Sequence, residues 1–519
     1  MTNESSGLGG STAAAAAPVP GALVAPSALK EAQGEAPGAR EHVISLYQKQ
    51  PKIYPRAVSG WFAGWRWALV WATQLLFYGL PWLEWNARQA VLFDLDARRF
   101  YIFALVLYPQ DFIYLTGLLV VSAYALFLFT AVAGRLWCGF ACPQTVYTEI
   151  FLWVERVFEG DRMARMRLDA APWSLNKLAR KGGKQLAWVA IGLWTGFTFV
   201  GYFTPIQTLA QSVRSFGLGP WETFWILFYG FATYGNAGWM REQVCKYMCP
   251  YARFQSAMFD RDTLVIGYDR ERGEPRGKKR EQGRKTDLKA AKLGHCIDCG
   301  LCVQVCPTGI DIRNGLQYDC IGCAACVDVC NGVMDKMQYP RGLVRYDTLN
   351  GIERHLSRPQ EWRRVLRPRV LVYTAILGLI VLGLALALAL RSPFKVDVVR
   401  DRGALARIVD EGQVENVYRL QLMNATEGVQ RYRISVAGLP QLRLVPLAPV
   451  SVAPAAARWV PVAVRLPPEA AAAAGSGSHR IEFVIERVAA AGSTVAAVEG
   501  PATPLGRAVV EKSTFVVPR

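Results

Sequence analysis

The sequence predicts a multi-domain membrane protein in which a five-span α-helical membrane domain carries an inserted cysteine-rich domain and is followed by a C-terminal β-sandwich. Three observations predict this fold class: five long apolar stretches, eight cysteines in a doubled run, and short alternating segments near the C-terminus. Of the 519 residues, 52% are apolar and only 19% are charged, against about 25% charged in soluble domains. The net charge of +18 therefore fits basic loops beside membrane spans better than a nucleic-acid site.

The first 40 residues are expected to form a disordered tail. Ala, Pro, Gly and Ser dominate this segment, and such a composition cannot bury a hydrophobic core. Its first basic residue is Lys30, so the basic start that is typical of a secretory signal is absent.

Each of the five apolar stretches is long enough to cross a bilayer, which takes about 20 residues, with a range of about 17–25. Four of them belong to a predicted membrane domain over residues 41–260, and the fifth follows a second, cysteine-rich segment. The predicted spans are 67–83, 112–133, 186–203, 223–240 and 370–390. The alternative is buried core helices of a soluble protein, which is disfavoured because Trp and Tyr crowd the ends of these stretches, as membrane interfaces favour.

The distribution of Lys and Arg predicts the orientation of the spans. Segments 134–184 and 241–369 contain nine and twenty-four basic residues, whereas 86–111 and 204–220 contain three and one. Since basic loops remain in the cytoplasm, the N-terminus and the two basic segments are expected there. The protein is then expected to be a multi-pass protein of the bacterial inner membrane, with residues 395–519 in the periplasm.

Eight of the twelve cysteines form a doubled run within a predicted cytoplasmic domain, 261–369. Each half has three cysteines separated by two residues and a fourth after three more, which is the pattern of bacterial ferredoxins with two [4Fe–4S] clusters. Three closely spaced thiolates wrap one cubane, and the distant cysteine of the other half reaches its fourth iron. One expected ligand set is Cys296, Cys299, Cys302 and Cys330. The other expected set is Cys320, Cys323, Cys326 and Cys306. Two structural zinc sites are the disfavoured alternative.

The remaining four cysteines form two CxxxCP motifs, each shortly after a predicted span. Cys138 and Cys142 follow the second span, and Cys245 and Cys249 follow the fourth. Residues four apart share one face of a helix, and the proline after each pair places the second thiol near a helix end. Because both spans leave the membrane on the same side, the four thiols are expected to converge on copper or another cluster. The alternative is four small cysteines packed between helices.

These motifs resemble the cytochrome c oxidase accessory protein family CcoG, also called FixG or RdxA. The resemblance covers roughly residues 41–519. It rests on three segments: WCGFACPQTVYTEIF, CKYMCPYARFQSAMFDRDTLVIGYD and CIDCGLCVQVCPTGIDIRNGLQYDCIGCAACVDVC. It implies a membrane polyferredoxin that reduces Cu(II) to Cu(I) for assembly of a cbb-type cytochrome c oxidase. It also implies that the eight run cysteines bind clusters and that Cys138, Cys142, Cys245 and Cys249 are the CxxxCP cysteines of the family. Our hypothesis is that these four are the catalytic residues and bind copper.

The C-terminal region, 395–519, shows the periodicity of strands. Apolar and polar residues alternate in short segments separated by Pro and Gly, which predicts a β-sandwich. The alternating apolar positions are Tyr418, Leu420, Leu422, Tyr432, Ile434, Val436, Val460, Val462, Val464, Ile481, Phe483 and Ile485. The family resemblance implies an immunoglobulin-like fold here. The region contains no Cys, so protein docking is its expected role.

Together these features predict a membrane redox enzyme that takes electrons from an unknown cytoplasmic or quinol donor and passes them through two clusters to copper. Thiolates favour Cu(I) over Cu(II), which supplies driving force. The expected partners are oxidase subunits or copper chaperones, the electron donor and the lipid bilayer, but no nucleic acid. One alternative is an electron-transfer subunit of a quinol-linked respiratory chain, although no c-type haem motif or flavin site is visible. Another is a non-catalytic scaffold for oxidase assembly.

Overall fold

The structure, a computed structural model, describes residues 52–86, 88–277, 293–401, 403, 405–488 and 508–518. The predicted disordered tail lies outside the described residues, as does the segment 278–292, which precedes the cysteine run.

The N-terminal half of the described chain is mainly helical, and the four stretches predicted there as spans all fall largely within helices. The α-helices are α1 (Trp61–Gly79), α2 (Phe112–Ala133), α3 (Leu136–Phe140), α4 (Pro143–Glu159), α5 (Arg162–Ala170), α6 (Leu175–Val200), α7 (Ile206–Arg214), α8 (Pro220–Thr233) and α9 (Pro250–Met258). Helix α8 continues as a π-helix over Tyr234–Met240, and a second π-helix covers Val244–Met248.

Two helices among the described residues are long and apolar enough to cross a membrane by length and composition alone. They are Pro109–Ala133, which contains α2, and Pro368–Ala389. The other three predicted spans do not meet that standard. Helix α1 contains Arg66, α6 begins with a basic segment, and α8 has only 14 residues before it changes to a π-helix. The five-span prediction is therefore not confirmed.

Helices α6 and α8 pack closely because glycines line their contact. A Cβ atom on Gly196 of α6 would lie 2.2 Å from the carbonyl oxygen of Ile226 in α8, and one on Gly192 would lie 2.7 Å from that of Gly230. Since any larger residue at these positions would push the backbones apart, the glycines set the distance between the two helices.

The segment between α1 and α2 folds into two small antiparallel sheets. The strands are β1 (Glu84–Trp85), β2 (Arg88–Gln89), β3 (Val91–Asp94), β4 (Arg99–Ile102) and β5 (Leu105–Leu107). Leu92 and Val106 of the β3–β4–β5 meander share a buried core with Met423 of the C-terminal domain. The adjoining Asp111 is buried between Arg391, at 2.6 Å, and Lys395, at 2.7 Å.

The cysteine-rich region consists of short elements around its two cysteine loops. They are β6 (Val265–Tyr268), α10 (Arg270–Gly273), α11 (Leu301–Gln304), α12 (Ala325–Met337), β7 (Val344–Asp347), α13 (Leu349–Arg354) and α14 (Arg358–Val365). Strand β6 pairs with β7 in antiparallel fashion. Ile266, Met334 and Leu343 form a small core together with cysteines of the loops. Helix α15 (Pro368–Ala389) then leads to the C-terminal domain.

The C-terminal domain is a sandwich of two antiparallel sheets. Its elements are β8 (Phe394–Arg400), β9 (Arg407–Ile408), β10 (Val414–Asn424), β11 (Gln430–Ala437), β12 (Arg443–Leu444), β13 (Val450–Val452), β14 (Ala457–Leu466), α16 (Pro468–Ala474), β15 (Gly477–Val488) and β16 (Val509–Val517). One sheet has the order β12-β14-β10-β8, with β9 also on β10, and the other has the order β13-β11-β15-β16. The predicted inward positions are buried in one core, except for Val436, which is partly buried and packs against it. The prediction of a β-sandwich is confirmed.

Candidate metal centre

The eight run cysteines fall into two groups of four, and each group lines its own cavity. The group called here the outer set is Cys296, Cys299, Cys302 and Cys330. The inner set is Cys306, Cys320, Cys323 and Cys326. These groups match the two ligand sets expected from the spacing. Cys302 lines both cavities, so the two centres share a wall.

The same backbone geometry recurs in both cysteine loops. The third and fifth residues of each run are left-handed: Asp298 and Gly300 have φ angles of 52° and 64°, and Gly322 and Ala324 have φ angles of 68° and 58°. Such conformations curl a loop so that successive N–H groups can converge on a bound anionic group. Four thiols per cavity and two curled loops fit a pair of [4Fe–4S] clusters.

Burial makes these thiols weak acids. It raises the pKa of Cys302 to about 11, and those of Cys320 and Cys330 to about 12. No described cysteine forms a disulfide. Because iron binds thiolates, insertion of a cluster must displace these protons, and cluster binding is therefore linked to proton release.

The two CxxxCP motifs share one local structure. The first thiol of each lies in a short helical segment, Cys138 in α3 and Cys245 in the second π-helix. The second cysteine is extended, with a ψ angle of 130° at Cys142 and 108° at Cys249, and the following proline begins a new helix. The second thiol does lie at a helix end, as expected. The two thiols of a motif do not share one regular helix, because a residue before proline is pushed towards extended geometry.

A backbone hydrogen bond closes each motif in the same way. The Cys142 N–H donates to the Trp137 carbonyl at 3.0 Å, and the Cys249 N–H donates to the Val244 carbonyl at 2.8 Å. Both bonds reach five residues back, so each motif contains one wide turn of the π type, which is frequent at functional sites.

The four CxxxCP thiols lie near one another. Burial, followed by the neighbouring thiols of Cys142, Cys138 and Cys249, raises the pKa of Cys245 to about 12. Gln255 of α9 is fully buried, and its side-chain oxygen accepts a hydrogen bond from the Cys138 thiol at 3.3 Å. Residues after the second motif therefore position a thiol of the first.

Within the part of the chain that the structure describes, no three His, Cys, Asp or Glu side chains stand close enough to hold a single metal ion. This is expected for the outer and inner sets, because a cubane places its ligands around four irons instead of one. For the CxxxCP thiols, the result gives no support to a copper ion held by three or four of them.

The inner set and the CxxxCP thiols share one part of the protein interior. Cys138 and Cys245 pack against a buried group of apolar side chains that contains Ile321 and Cys323. A Cβ atom on Gly139, inside the first CxxxCP motif, would stand 2.5 Å from the carbonyl oxygen of Gly322 in the inner loop. The two backbones touch there, and a glycine is needed at position 139 for them to do so.

Two basic residues, Arg135 and Lys246, reinforce this junction. The buried Arg135 guanidinium donates to the carbonyl oxygens of Tyr318 and Cys320, the latter at 3.1 Å. Lys246, between the thiols of the second motif, forms an ion pair with Asp319 at 3.3 Å. Sequence reasoning missed both, although each lies within or just before a CxxxCP motif.

The cysteine-rich domain also caps the first long helix. The Asp328 carboxylate accepts hydrogen bonds from the Phe62 N–H at 3.2 Å and the Ala63 N–H at 2.8 Å, at the start of α1. No side chain near α1 in sequence makes this cap, so a residue from between two cluster cysteines satisfies the free N–H groups of the helix. In the sequence, the only hint of a role for Asp328 is that it lies between Cys326 and Cys330.

The outer set is partly open to solvent. Cys299 is the one exposed cysteine among the twelve, all of which are described. Next to it, Arg313 forms ion pairs with Asp298 and with Asp311, the latter at 2.7 Å. The two centres therefore differ in access, since solvent reaches the outer set at Cys299.

Comparison with family models identifies three parts of the chain. A model described as a 4Fe-4S dicluster domain matches residues 240–349, which contain both cysteine sets. A model described as a 4Fe-4S binding domain matches 115–159, which contain the first CxxxCP motif. A model described as an IG-like fold at the C-terminus of FixG matches 384–518, in agreement with the sandwich.

Curated relatives extend this similarity over most of the chain. The nitrogen fixation protein FixG of Rhizobium meliloti is 39% identical over 426 residues, which cover 76% of this chain and 81% of that protein. The chain belongs to the FixG/RdxA family. Proteins RdxB and RdxA of Cereibacter sphaeroides are 42% and 39% identical, each over 77% of this chain and 85% of their own. The FixG/RdxA resemblance is confirmed, whereas the more specific CcoG assignment is not shown by these names.

Membership of the FixG/RdxA family and the two 4Fe-4S matches make the protein an iron–sulfur electron-transfer protein. The predicted iron–sulfur cofactors are supported to that extent.

Proposed function

We propose that this protein is a membrane-bound cupric reductase that supplies Cu(I) for assembly of a cbb-type cytochrome c oxidase. The observation that supports it best is the junction at which Cys138 and Cys245 pack against the buried group around Cys323. The CxxxCP thiols, which suit a soft metal, therefore lie in the same part of the protein interior as the inner set, which suits an iron–sulfur cluster. Cu(II) is the substrate in this proposal, and each ion takes one electron to become Cu(I).

The outer and inner sets are proposed as the ligands of two [4Fe–4S] clusters. When bound, these clusters supply electrons one at a time. The CxxxCP thiols favour reduction because soft thiolates bind Cu(I) better than Cu(II). Two thiolates are enough for Cu(I), so the lack of a closely spaced three-ligand group does not conflict with this role. Arg135 bonds the start of the first motif to the inner loop, and Gln255 positions the Cys138 thiol.

We propose five spans, with the cysteines on the cytoplasmic side and the sandwich in the periplasm of the inner membrane. Large apolar side chains support this, because Trp71 of α1 and Phe231 of α8 are 61% and 74% exposed and lipid would cover them. The segments predicted to be external also contact one another: the Ile206 N–H donates to the side-chain oxygen of Gln89 at 2.9 Å. A reporter fused after Gly412 should behave as exported, and one fused after Gly273 should behave as cytoplasmic. If both reporters lie on the same side of the membrane, the proposed topology is wrong.

Cu(II) reduction by the dithionite-reduced protein, freed of excess dithionite, tests the function. Cys142→Ser and Cys249→Ser should each reduce Cu(II) at least tenfold more slowly than the wild type. Their cluster spectra should be unchanged, because those ligands belong to the other two sets. Ala141→Ser is the matched control, since it adds a hydroxyl inside the motif and keeps both thiols.

In cells, strains that carry the Cys142→Ser or Cys249→Ser variant should assemble the oxidase poorly at low copper, and excess reduced copper should partly restore assembly. Equal reduction rates in all proteins would instead favour a scaffold.

A second candidate is that the CxxxCP thiols hold a further iron–sulfur cluster. The 4Fe-4S binding model that spans Cys138 and Cys142 favours it, and so does the absence of single-ion spacing among these thiols. Iron analysis of anaerobically purified protein separates the two candidates, because two clusters require about eight irons and three about twelve. Cys142→Ser should lower the iron content only in the second case.

A further inference from the structure

The long helices enclose a large cavity that no cysteine lines. Helices α1, α4 and α6 surround a volume of about 980 Å³, at the upper end of the roughly 300–1,000 Å³ that is typical of small-molecule sites. Its walls are mainly aromatic and aliphatic, and the aromatic residues are Trp67, Trp71, Tyr78, Trp82, Trp153 and Trp194. Trp71 and Leu75 are 61% and 67% exposed, so the cavity opens sideways on the surface that the five-span proposal places in lipid.

A small polar group interrupts this apolar wall. The Tyr78 hydroxyl lies 2.9 Å from the Thr195 hydroxyl and 3.4 Å from the Tyr147 hydroxyl. Beside them, the side-chain oxygen of Gln74 is buried and has no hydrogen-bond partner within the described residues. Buried acceptors are normally satisfied, so this oxygen favours a ligand that brings a hydroxyl donor.

A chain of ion pairs connects the cavity to the inner set. Arg156 lines the cavity, and Glu149 lies 3.7 Å from both Arg156 and Arg66. Arg66 and Glu149 in turn line a second, smaller cavity together with Cys323 and Cys245. A ligand in the large cavity is therefore separated from an inner-set cysteine by one short polar bridge that contains a carboxylate.

We propose that this cavity binds a membrane quinol, the electron donor of the protein, an inference that rests on the proposed iron–sulfur function. A quinol offers a flat ring to the tryptophans, a hydroxyl to Gln74 and an apolar tail to the open side. Its oxidation to the quinone breaks two O–H bonds and releases two protons and two electrons. The protons leave to water past the Glu149 carboxylate, and the electrons reduce the two [4Fe–4S] clusters by one each. A lipid acyl chain, the other candidate occupant, has no ring and no hydroxyl for Gln74.

The test uses the full-length protein in lipid nanodiscs, with menadiol as the donor. Ala190→Phe fills the cavity from α6, whereas Leu186→Phe adds the same ring on α6 at a position that is 72% exposed and outside the cavity. Menadiol should bleach the cluster absorbance of the wild type and Leu186→Phe at equal rates, and of Ala190→Phe at least tenfold more slowly. Gln74→Leu, which changes polarity and not bulk, should weaken the menadiol effect severalfold.

Binding is measured separately with an azido-quinone photolabel. The label should attach to peptides of α1 and α6 in the wild type and Leu186→Phe, and should be lost in Ala190→Phe. Absent labelling, labelling that excess phospholipid removes, or equal menadiol rates in the wild type and Ala190→Phe would each overturn the quinol site. Dithionite should reduce all variants fully. Its failure to do so in the wild type would overturn the iron–sulfur function itself, and the two failures are thus distinguishable.

Discussion

The outer and inner cysteine loops have the same spacing and the same left-handed turns, but their surroundings differ. The outer loop leaves Cys299 exposed, whereas Cys323 of the inner loop is buried against the CxxxCP motifs. One local pattern thus serves two positions in the molecule, one open to solvent and one enclosed. Ligand spacing determines which cysteines can share a cluster, and the residues between the ligands determine what each centre touches.

The third residue of each loop shows how this difference arises. In the inner loop it is Gly322, and a Cβ atom there would lie 3.0 Å from the Arg135 carbonyl oxygen. In the outer loop it is Asp298, whose side chain forms an ion pair with Arg313 near the surface. A glycine lets another backbone approach, whereas an aspartate keeps the loop in contact with water and charge.

The largest expected effect comes from removing one ligand from each set. Cys299→Ser and Cys323→Ser should each lose about four of about eight irons. Only Cys323→Ser should slow single-turnover Cu(II) reduction at least tenfold, because the inner set is the one that adjoins the CxxxCP thiols. Iron analysis and a stopped-flow copper assay on both variants measure this. Equal slowing by the two substitutions would remove the functional distinction between the loops.

A smaller effect is expected where the inner loop touches the first CxxxCP motif. Gly139→Ala places a methyl group against the Gly322 carbonyl and should destabilise the junction by about 1–3 kcal/mol, as overpacking does. Denaturant titration followed by cluster absorbance measures it. Gly332→Ala is the control, because a Cβ atom there meets nothing within 4 Å and Ala in a helix is favoured by about 0.5–1 kcal/mol. Equal shifts in both variants would contradict a tight contact.

The smallest effect concerns the cap that the cysteine-rich domain provides to α1. Asp328→Ala should destabilise the docked domain by about 0.5–2 kcal/mol, the usual range for a lost helix cap. Faster limited proteolysis between the domains, with full iron content, would be the signature. Asp335 lies on the same helix and, among the described residues, its carboxylate pairs with the exposed Arg341 alone, so Asp335→Ala should leave the proteolysis rate unchanged. If both variants behave alike, Asp328 does not dock the domain.

The sequence predicted the two cysteine sets and the alternating core of the sandwich because both patterns are local. Spacing within Cys296–Cys302 or within β10 is visible along the chain without knowledge of the fold. The sequence also predicted that the CxxxCP pairs lie beside each other, because motifs after alternate predicted spans are expected on one side. That argument needed only the order of the segments. The thiols do lie near one another, although the count of five spans is not confirmed.

Contacts between distant segments were not predictable in this way. Asp328 as a cap for α1, Arg135 at the Cys320 carbonyl, and the close approach of Gly139 to Gly322 join residues that are far apart in sequence. The wide turns in the CxxxCP motifs were also missed, because the helical spacing of the cysteines hid the extended residue before each proline. The cavity depends on three helices at once and has no signature in any one of them.

The core that the β3–β4–β5 meander shares with the sandwich has a consequence for biosynthesis. Leu92 and Val106 leave the ribosome early, whereas Met423, their packing partner, is made only after α15. Until Met423 is made, Leu92 and Val106 cannot be buried against it. Asp111 likewise has no ion pair until Arg391 and Lys395 are made. A chain that stops before residue 394 would leave this apolar face exposed to solvent, where it favours aggregation. Folding of the β3–β4–β5 meander therefore depends on a domain that is translated several hundred residues later.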